Sequence, residues 1–163
     1  MKKVFATNSD NWAALIARLA LAVTVFPHGA QKLFGWFGGY GFQGTMGFMT
    51  NQGGLSYIVA LLVILIESVG ALMILFGAGT RIAALGIFGL FTGIVFKAHL
   101  TNGFFMNWAG NQKGEGLEYF VLLLGLALVL VITGGGKASV DGALTKQAVN
   151  RKINRPSHKA LAA

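Results

Sequence analysis

Two charged residues stand inside stretches otherwise apolar enough to lie in a lipid bilayer: Arg18 in WAALIARLALAVTVFPHGA and Glu67 in LSYIVALLVILIESVGALMILFG. A guanidinium near the bilayer centre costs about 2.5 to 3.5 kcal/mol on insertion scales, so it faces protein and a partner rather than lipid. Each charge lies roughly 18 Å below the outer end of its run at about 1.5 Å per helical residue. Equal depth predicts an Arg18–Glu67 pair across adjacent antiparallel helices. Ala14 and Ala22 flank Arg18, and Gly70 and Ala71 follow Glu67, so both faces suit close packing. Such a pair either locks two helices or forms the polar floor of a site. Burial alone does not decide, because desolvation offsets much of the attraction.

A second group, His28, Lys32, Lys97, His99 and Glu118, falls at one end of the apolar runs. Titratable groups beside a dry interior are what proton-coupled redox or transport chemistry needs. Each alone also reads as an interfacial anchor. Large aromatics gather at the same end, among them Trp36, Phe37, Tyr40, Phe104, Phe105, Trp108 and Tyr119, whereas the other end has little beyond Phe5, Trp12 and Phe76. A membrane belt is expected at both interfaces. The asymmetry predicts that Trp36, Phe37, Tyr40, Phe104, Phe105 and Trp108 also form a lid over a pocket.

The residue inventory excludes several chemistries. With no cysteine in the chain, disulfides, thiol relays and iron–sulfur ligation are ruled out. His28 and His99 sit at similar depth but without a spacing motif, which argues against haem, and zinc lacks a clear third ligand. No metal site is expected. Gly136-Lys137-Ala138 lacks the hydroxyl residue of a phosphate loop, and no Ser/His/Asp order of a hydrolase is present. No catalytic residue can be assigned.

The elements that must position these groups follow from hydropathy. The chain has 163 residues, one domain by length. Its 55% hydrophobic and 11% charged content and mean hydropathy of +0.66 do not describe a water-soluble domain. Apolar runs over 12–30, 55–77, 82–98 and 117–133 are each near the roughly 20 helical residues that cross a bilayer core. The fold class is therefore all-α: a polytopic membrane protein with a four-transmembrane-helix bundle over 12–134. A polar lead over 1–11 offers Ser9 or Asp10 as N-cap, and no cleavable signal peptide is expected there. Pro27 predicts a kink near Val23. The Gly- and aromatic-rich connections 33–54 and 101–116 are outer loops. In the third run Gly86, Gly89 and Gly93 form a small-residue ridge, read first as packing within the bundle and second as a homo-oligomer contact. Ser139 and Asp141 are expected to tether the end of the fourth run.

The net charge of +8 follows from topology. With four spans, Lys2, Lys3, Arg81, Lys137, Lys146, Arg151, Lys152, Arg155 and Lys159 share one side, against Lys32, Lys97 and Lys113 on the other. Cytoplasmic loops are the ones enriched in Lys and Arg, so both termini should be cytoplasmic. The basic tail 135–163 suits orientation and anionic head groups better than nucleic acid, and no nucleic-acid partner is expected.

The arginine-bearing run followed by HGAQKLFGWFGG, the Glu67 run leading to Arg81, and the closing GGGKASVD together resemble the DoxX family of small bacterial membrane proteins. The resemblance covers roughly 12–142. It implies a four-helix bundle in the bacterial inner membrane. It also implies an association with redox systems, since some members are subunits of thiosulfate:quinone oxidoreductase and others belong to membrane complexes that handle oxidative or thiol stress. The matched positions are Arg18, His28, Gly29, Lys32, Glu67, Arg81, Ser139 and Asp141, and the resemblance gives none of them a catalytic role.

Together these readings lead to the expectation of a membrane redox subunit with an outer pocket for quinone or another small apolar molecule. Arg18 and Glu67 would form its floor, His28, Lys32 and Glu118 would exchange protons or bind polar atoms, and a redox partner protein would supply electrons. The alternatives are a membrane scaffold that binds a partner through its aromatic loops and, third, a small proton-coupled transporter. Four spans without an internal repeat make the third harder.

Overall fold

The computed structural model describes residues 7–153, which are helical, with no strand among them. The N-terminal residues Lys2, Lys3 and Phe5, the side chain of Lys152, and Arg155 and Lys159 lie outside the described residues, so the charge and aromatic readings there stand only as sequence readings.

The first helix, α1 (Trp12–Phe34), opens where Asn11 turns from extended backbone and its side-chain oxygen accepts the Ala14 N–H at 3.1 Å. The cap is thus Asn11 rather than Ser9 or Asp10. The helix runs through Pro27 and ends four residues beyond the expected Ala30, at Gly35 in the left-handed region (φ 76°). Polar His28 and Lys32 can be helical at this depth because Lys32 finds a carboxylate partner in the bundle.

The expected loop 33–54 is largely helical. It contains a 3-10 turn (Trp36–Gly38), α2 (Gly41–Gly47) and a π turn (Phe48–Gln52). Met46 explains the difference: it is buried in a small cluster with Ala60 and Ile64, so the segment has an apolar anchor that fixes it against the neighbouring helices.

The second long rod comprises α3 (Tyr57–Leu65), a π turn (Ile66–Gly70) and α4 (Ala71–Phe76), opened by Ser56, whose hydroxyl oxygen accepts the Val59 N–H. After the three-residue turn Gly77–Gly79, the third rod comprises α5 (Thr80–Ile94) and a π turn (Val95–His99). Gly77 has φ 65°, and a Cβ there would stand 2.7 Å from the Arg18 guanidinium. Only glycine satisfies both the conformation and the space. The fourth rod is α6 (Glu118–Thr133), and α7 (Val140–Ile153) follows where only a basic tail was expected. Its N-terminus is built by Ser139, whose hydroxyl donates to the Gly136 carbonyl at 2.6 Å and accepts the Gly142 N–H at 3.0 Å.

Four rods close into one bundle: α1 packs on α4 and on α6, α5 packs on α6, and both α1 and α5 pack on the π turn at Ile66–Gly70. The core between them contains Leu21, Val25, Ile74, Ile87, Phe91, Phe120, Leu123 and Leu130. Outward faces are apolar as well, with Ile16, Val23, Leu62, Leu85, Leu122 and Ile132 exposed. An apolar surface of this extent belongs in lipid. Three rods are long and apolar enough to cross a membrane, Trp12–Phe34, Tyr57–Phe76 and Thr80–His99. At 16 residues α6 is shorter, about 24 Å of helix against a core of about 30 Å.

The glycine ridge of α5 is only partly a packing surface. Gly86 faces Ile66 across the bundle, whereas Cβ atoms at Gly89 and Gly93 would meet nothing within 4 Å.

Candidate functional site

Arg18 and Glu67 are both buried, at 1% and 2% exposure, but they do not pair. The expected ion pair is replaced by two separate arrangements. Depth decides this: α1 continues to Phe34, and Glu67 is level with Gly29, whose missing side chain lets the helix backbone lie directly on Glu67 and Ser68. Arg18 is eleven residues from Gly29, or about 16 Å along the axis. Helical side chains also lean towards the N-terminus of their helix. Arg18 therefore leans away from Glu67, and Lys32 leans towards it.

At its own end of the bundle Arg18 binds three carbonyls. One terminal nitrogen donates to Leu75 O at 2.7 Å, and the other to Lys137 O at 3.1 Å and Ala138 O at 2.9 Å. A guanidinium has donors arranged for several acceptors at once. It fastens the end of α4 to the segment that follows α6. The Lys137 ammonium sits 3.9 Å over the Trp12 ring. Asp141 completes this end plate by capping a helix far from it in sequence. Gly79 has no side chain with which to cap α5, so Asp141 carboxylate oxygens accept the N–H groups of Gly79 and Thr80 and the Thr80 hydroxyl, each at 2.8 Å.

At the other end of the bundle a cavity of about 400 Å³ is lined by residues of every rod: His28 and Lys32 from α1, Glu67, Phe91, Ile94 and His99, Tyr119 and Phe120 from α6, and Met106 and Glu115 from the connection before it. Lys32 donates to Glu67 Oε2 and to the His28 carbonyl. Phe91 and Phe120 pack with ring centroids 6.3 Å apart, and the His99 ring lies 4.5 Å from Phe120. Two of these residues stand on π turns, Glu67 on Ile66–Gly70 and His99 on Val95–His99. Such turns recur at functional sites because the extra residue re-aims the side chains around it.

Of the expected outer cluster, His28, Lys32 and His99 line this cavity, while Lys97 and Glu118 do not. Lys97 is exposed, and Glu118 accepts the Met106 N–H at 3.2 Å, which holds the preceding loop. His99 has a similar loop contact through Nδ1, 2.8 Å from Glu115 O. The aromatic lid is a further correction. Trp36, Phe37, Tyr40, Phe104, Phe105 and Trp108 are all exposed, Trp108 at 88%, and none lines the cavity. Short glycine-rich segments leave these rings no buried surface to reach, and they stand outward as an interfacial belt does.

Sequence reading missed Tyr119, Glu115, Met106, Phe91, Ile94 and Phe120 as cavity residues. Tyr119 carried the one usable signal, a phenol in the first turn of a helix that is apolar from Phe120 to Ile132. Its hydroxyl oxygen is buried and has no hydrogen-bond partner among the described residues. No group of three metal-ligating side chains occurs among the described residues.

A bundle of long apolar rods with apolar outer faces, polar residues turned inward and a cavity at one end defines a multi-pass helical membrane protein. Residues 13–100 match the family model for DoxX, and the chain belongs to the DoxX family. The match includes Arg18, His28, Gly29, Lys32, Glu67 and Arg81. No curated protein and no solved structure matches the chain.

Proposed function

We propose that the protein is a subunit of a membrane redox system and that its cavity binds a quinone or a similar small apolar molecule. The observation that carries this reading is the cavity itself. Its volume of about 400 Å³ lies within the range usual for small-molecule sites, and it combines apolar walls with a few convergent polar groups. Phe91, Phe120, Ile94 and Met106 suit a flat apolar ring, and His28, Lys32 and Tyr119 supply donors for its oxygen atoms. Electrons come from a partner protein or another cofactor, since the chain has no cysteine.

In this reading α6 is a fourth, short crossing and the protein sits in the bacterial inner membrane with both termini cytoplasmic. Charge placement supports that orientation. Arg81 in the first turn of α5, Lys137 before α7, and Lys146 and Arg151 on α7 give the Arg18 end four basic residues, against Lys32, Lys97 and Lys113 at the cavity end, where Lys32 is paired with Glu67. The cavity then faces outward. Arg18 and its three carbonyls close the opposite end of the bundle, which favours a binding site over a transport path.

Native mass spectrometry with lipid extraction and an absorption spectrum of the gently purified protein test the proposal. A quinone carried through purification, or tryptophan fluorescence quenched saturably by added decylubiquinone, supports it. A colourless protein bearing only bulk phospholipid and giving no saturable quenching overturns it. That outcome, with a stable complex captured through Phe104, Phe105 and Trp108, leaves a partner-binding scaffold as the better reading, consistent with the exposure of those rings.

A further inference from the structure

The cavity contains a charged pair whose two members cancel. Lys32 Nζ is bound to Glu67, and Glu67 is almost wholly buried at 2% exposure while the Lys32 side chain is 22% exposed. The pair is net neutral whether the proton resides on the amine or on the carboxyl. As an ammonium, Lys32 has three N–H groups, and two acceptors are present among the described residues, Glu67 Oε2 and the His28 carbonyl. One N–H is therefore left to a ligand, on the partly accessible member of the pair. Of the other polar residues of the lining, Tyr119 is a phenol, His99 Nδ1 lies 2.8 Å from Glu115 O, and Glu115 is an exposed residue whose carboxylate accepts the Asn107 N–H at 2.8 Å.

We infer that Glu67 determines specificity in this cavity: by cancelling the Lys32 charge it makes the site accept neutral carbonyl compounds and reject anions of the same shape. The inference rests on the quinone-pocket reading above and adds the charge class of the ligand. An anion in the cavity would sit close to the buried Glu67 carboxylate, with Lys32 already committed to that carboxylate, and it would leave its hydration shell without gaining a free cation. A neutral carbonyl needs only the one available N–H. Specificity of this kind comes from the charge that opposes the wrong ligand as much as from contacts to the right one. Replacing Glu67 by an isosteric amide removes the opposing charge and leaves Lys32 as an uncompensated cation, so anions gain.

Three naphthoquinones of nearly equal size test this at one fixed neutral pH: 2-methyl-1,4-naphthoquinone and 2-methoxy-1,4-naphthoquinone, which are neutral, and 2-hydroxy-1,4-naphthoquinone, which is ionised. Binding to the full-length protein in detergent is read by calorimetry. The wild type should bind the methoxy compound about tenfold or more tightly than the ionised hydroxy compound. In Glu67→Gln the affinity for the ionised probe should rise by about tenfold, with the neutral probes changing much less. A purely structural role for Glu67 would lower affinity for all three together. The wild-type comparison needs no substitution, so it can overturn the inference even if Glu67→Gln does not fold. Equal wild-type affinity for the methoxy and hydroxy compounds overturns the inference while leaving the pocket reading intact. Absence of binding by any of the three overturns the pocket reading, and the inference with it.

Discussion

Lys32, one helical turn beyond His28 on α1, meets Glu67 on the neighbouring rod, while Arg18 on the same helix binds three backbone carbonyls at the opposite end. The two polar features therefore have separate roles, one at a cavity and one at a junction of chain segments. They can be separated by substitution.

The Lys32–Glu67 pair predicts a non-additive mutant cycle. Lys32→Met leaves a buried carboxylate without its cation, and Glu67→Leu leaves an ammonium without its anion; each single change should destabilise by about 3 to 5 kcal/mol. The double variant removes both charges and should recover most of that loss, because buried pairs are often replaceable by apolar residues of similar volume. Its cavity would lack the Lys32 N–H and keep the His28 and Tyr119 donors, so quinone binding should be weakened although thermal unfolding in detergent returns near the wild-type midpoint. A double variant as unstable as either single one would show that the pair is not the interaction being removed.

Arg18 should behave differently, because its acceptors are carbonyls with no charge to balance. Arg18→Met leaves Leu75, Lys137 and Ala138 carbonyls without their donor, at a cost of about 2 to 4 kcal/mol in total. Arg18→Lys should rescue little, since an ammonium is a point donor and cannot span acceptors on two segments as the planar guanidinium does. The check is limited trypsin digestion alongside thermal unfolding. Cleavage after Lys137 should accelerate in both variants while quinone binding at the far end persists. Protection of Lys137 in Arg18→Met would contradict the assignment.

How much of this was legible in the sequence depends on which quantity each inference used. The membrane rods came from hydropathy, which each segment carries by itself, and their observed bounds lie within four residues of the apolar runs. The common end of His28, Lys32 and His99 was legible too, but their convergence on one cavity was not, because it depends on how the rods pack. The Arg18–Glu67 pair failed because it compared depths across two helices whose ends were read from composition. Extension of α1 to Phe34 puts Arg18 16 residues from its helix end, whereas Glu67 is ten from Tyr57, so the helix ends alone account for about 9 Å of the offset of about 16 Å. Gly29 held the register, but a glycine in a helix does not announce which backbone it will touch. Segment 33–54 was misread for a related reason: its helicity depends on Met46 finding Ala60 and Ile64, a tertiary contact.

Asp141 supplies the cap that Gly79 cannot, from 62 residues further along the chain. Asp141→Ala should lower stability by about 1 to 2 kcal/mol, the range of a lost N-cap. Asp141→Asn retains an amide oxygen that can accept at most the two Thr80 donors and should fall between. Introducing Ser at Gly79 in the Asp141→Ala background should not restore the loss, because Gly79 has φ 62° and its residue is not in the extended conformation from which a side chain caps its own helix. Thermal unfolding of the three variants in one detergent measures the series, and recovery by Gly79→Ser would refute a cap supplied from α7.

Two glycines on different rods should respond to alanine in opposite directions. At Gly29 a Cβ would enter the backbone of Glu67 and Ser68, which belongs to a packed rod and cannot swing aside. Gly29→Ala should therefore separate α1 from the Glu67 turn, destabilise by about 1 to 3 kcal/mol and disturb the Lys32–Glu67 contact with it. Ligand binding should fall together with stability. At Gly89 a Cβ would meet nothing within 4 Å, so Gly89→Ala gains helix preference without a clash and should stabilise by about 0.5 to 1 kcal/mol. The comparison also bears on assembly. If Gly89 and Gly93 were a contact between copies of the chain, Gly89→Ala would weaken that contact, and sedimentation in detergent would report a smaller particle than the wild type. An unchanged particle with a raised unfolding midpoint would mean that this open stripe of α5 faces lipid.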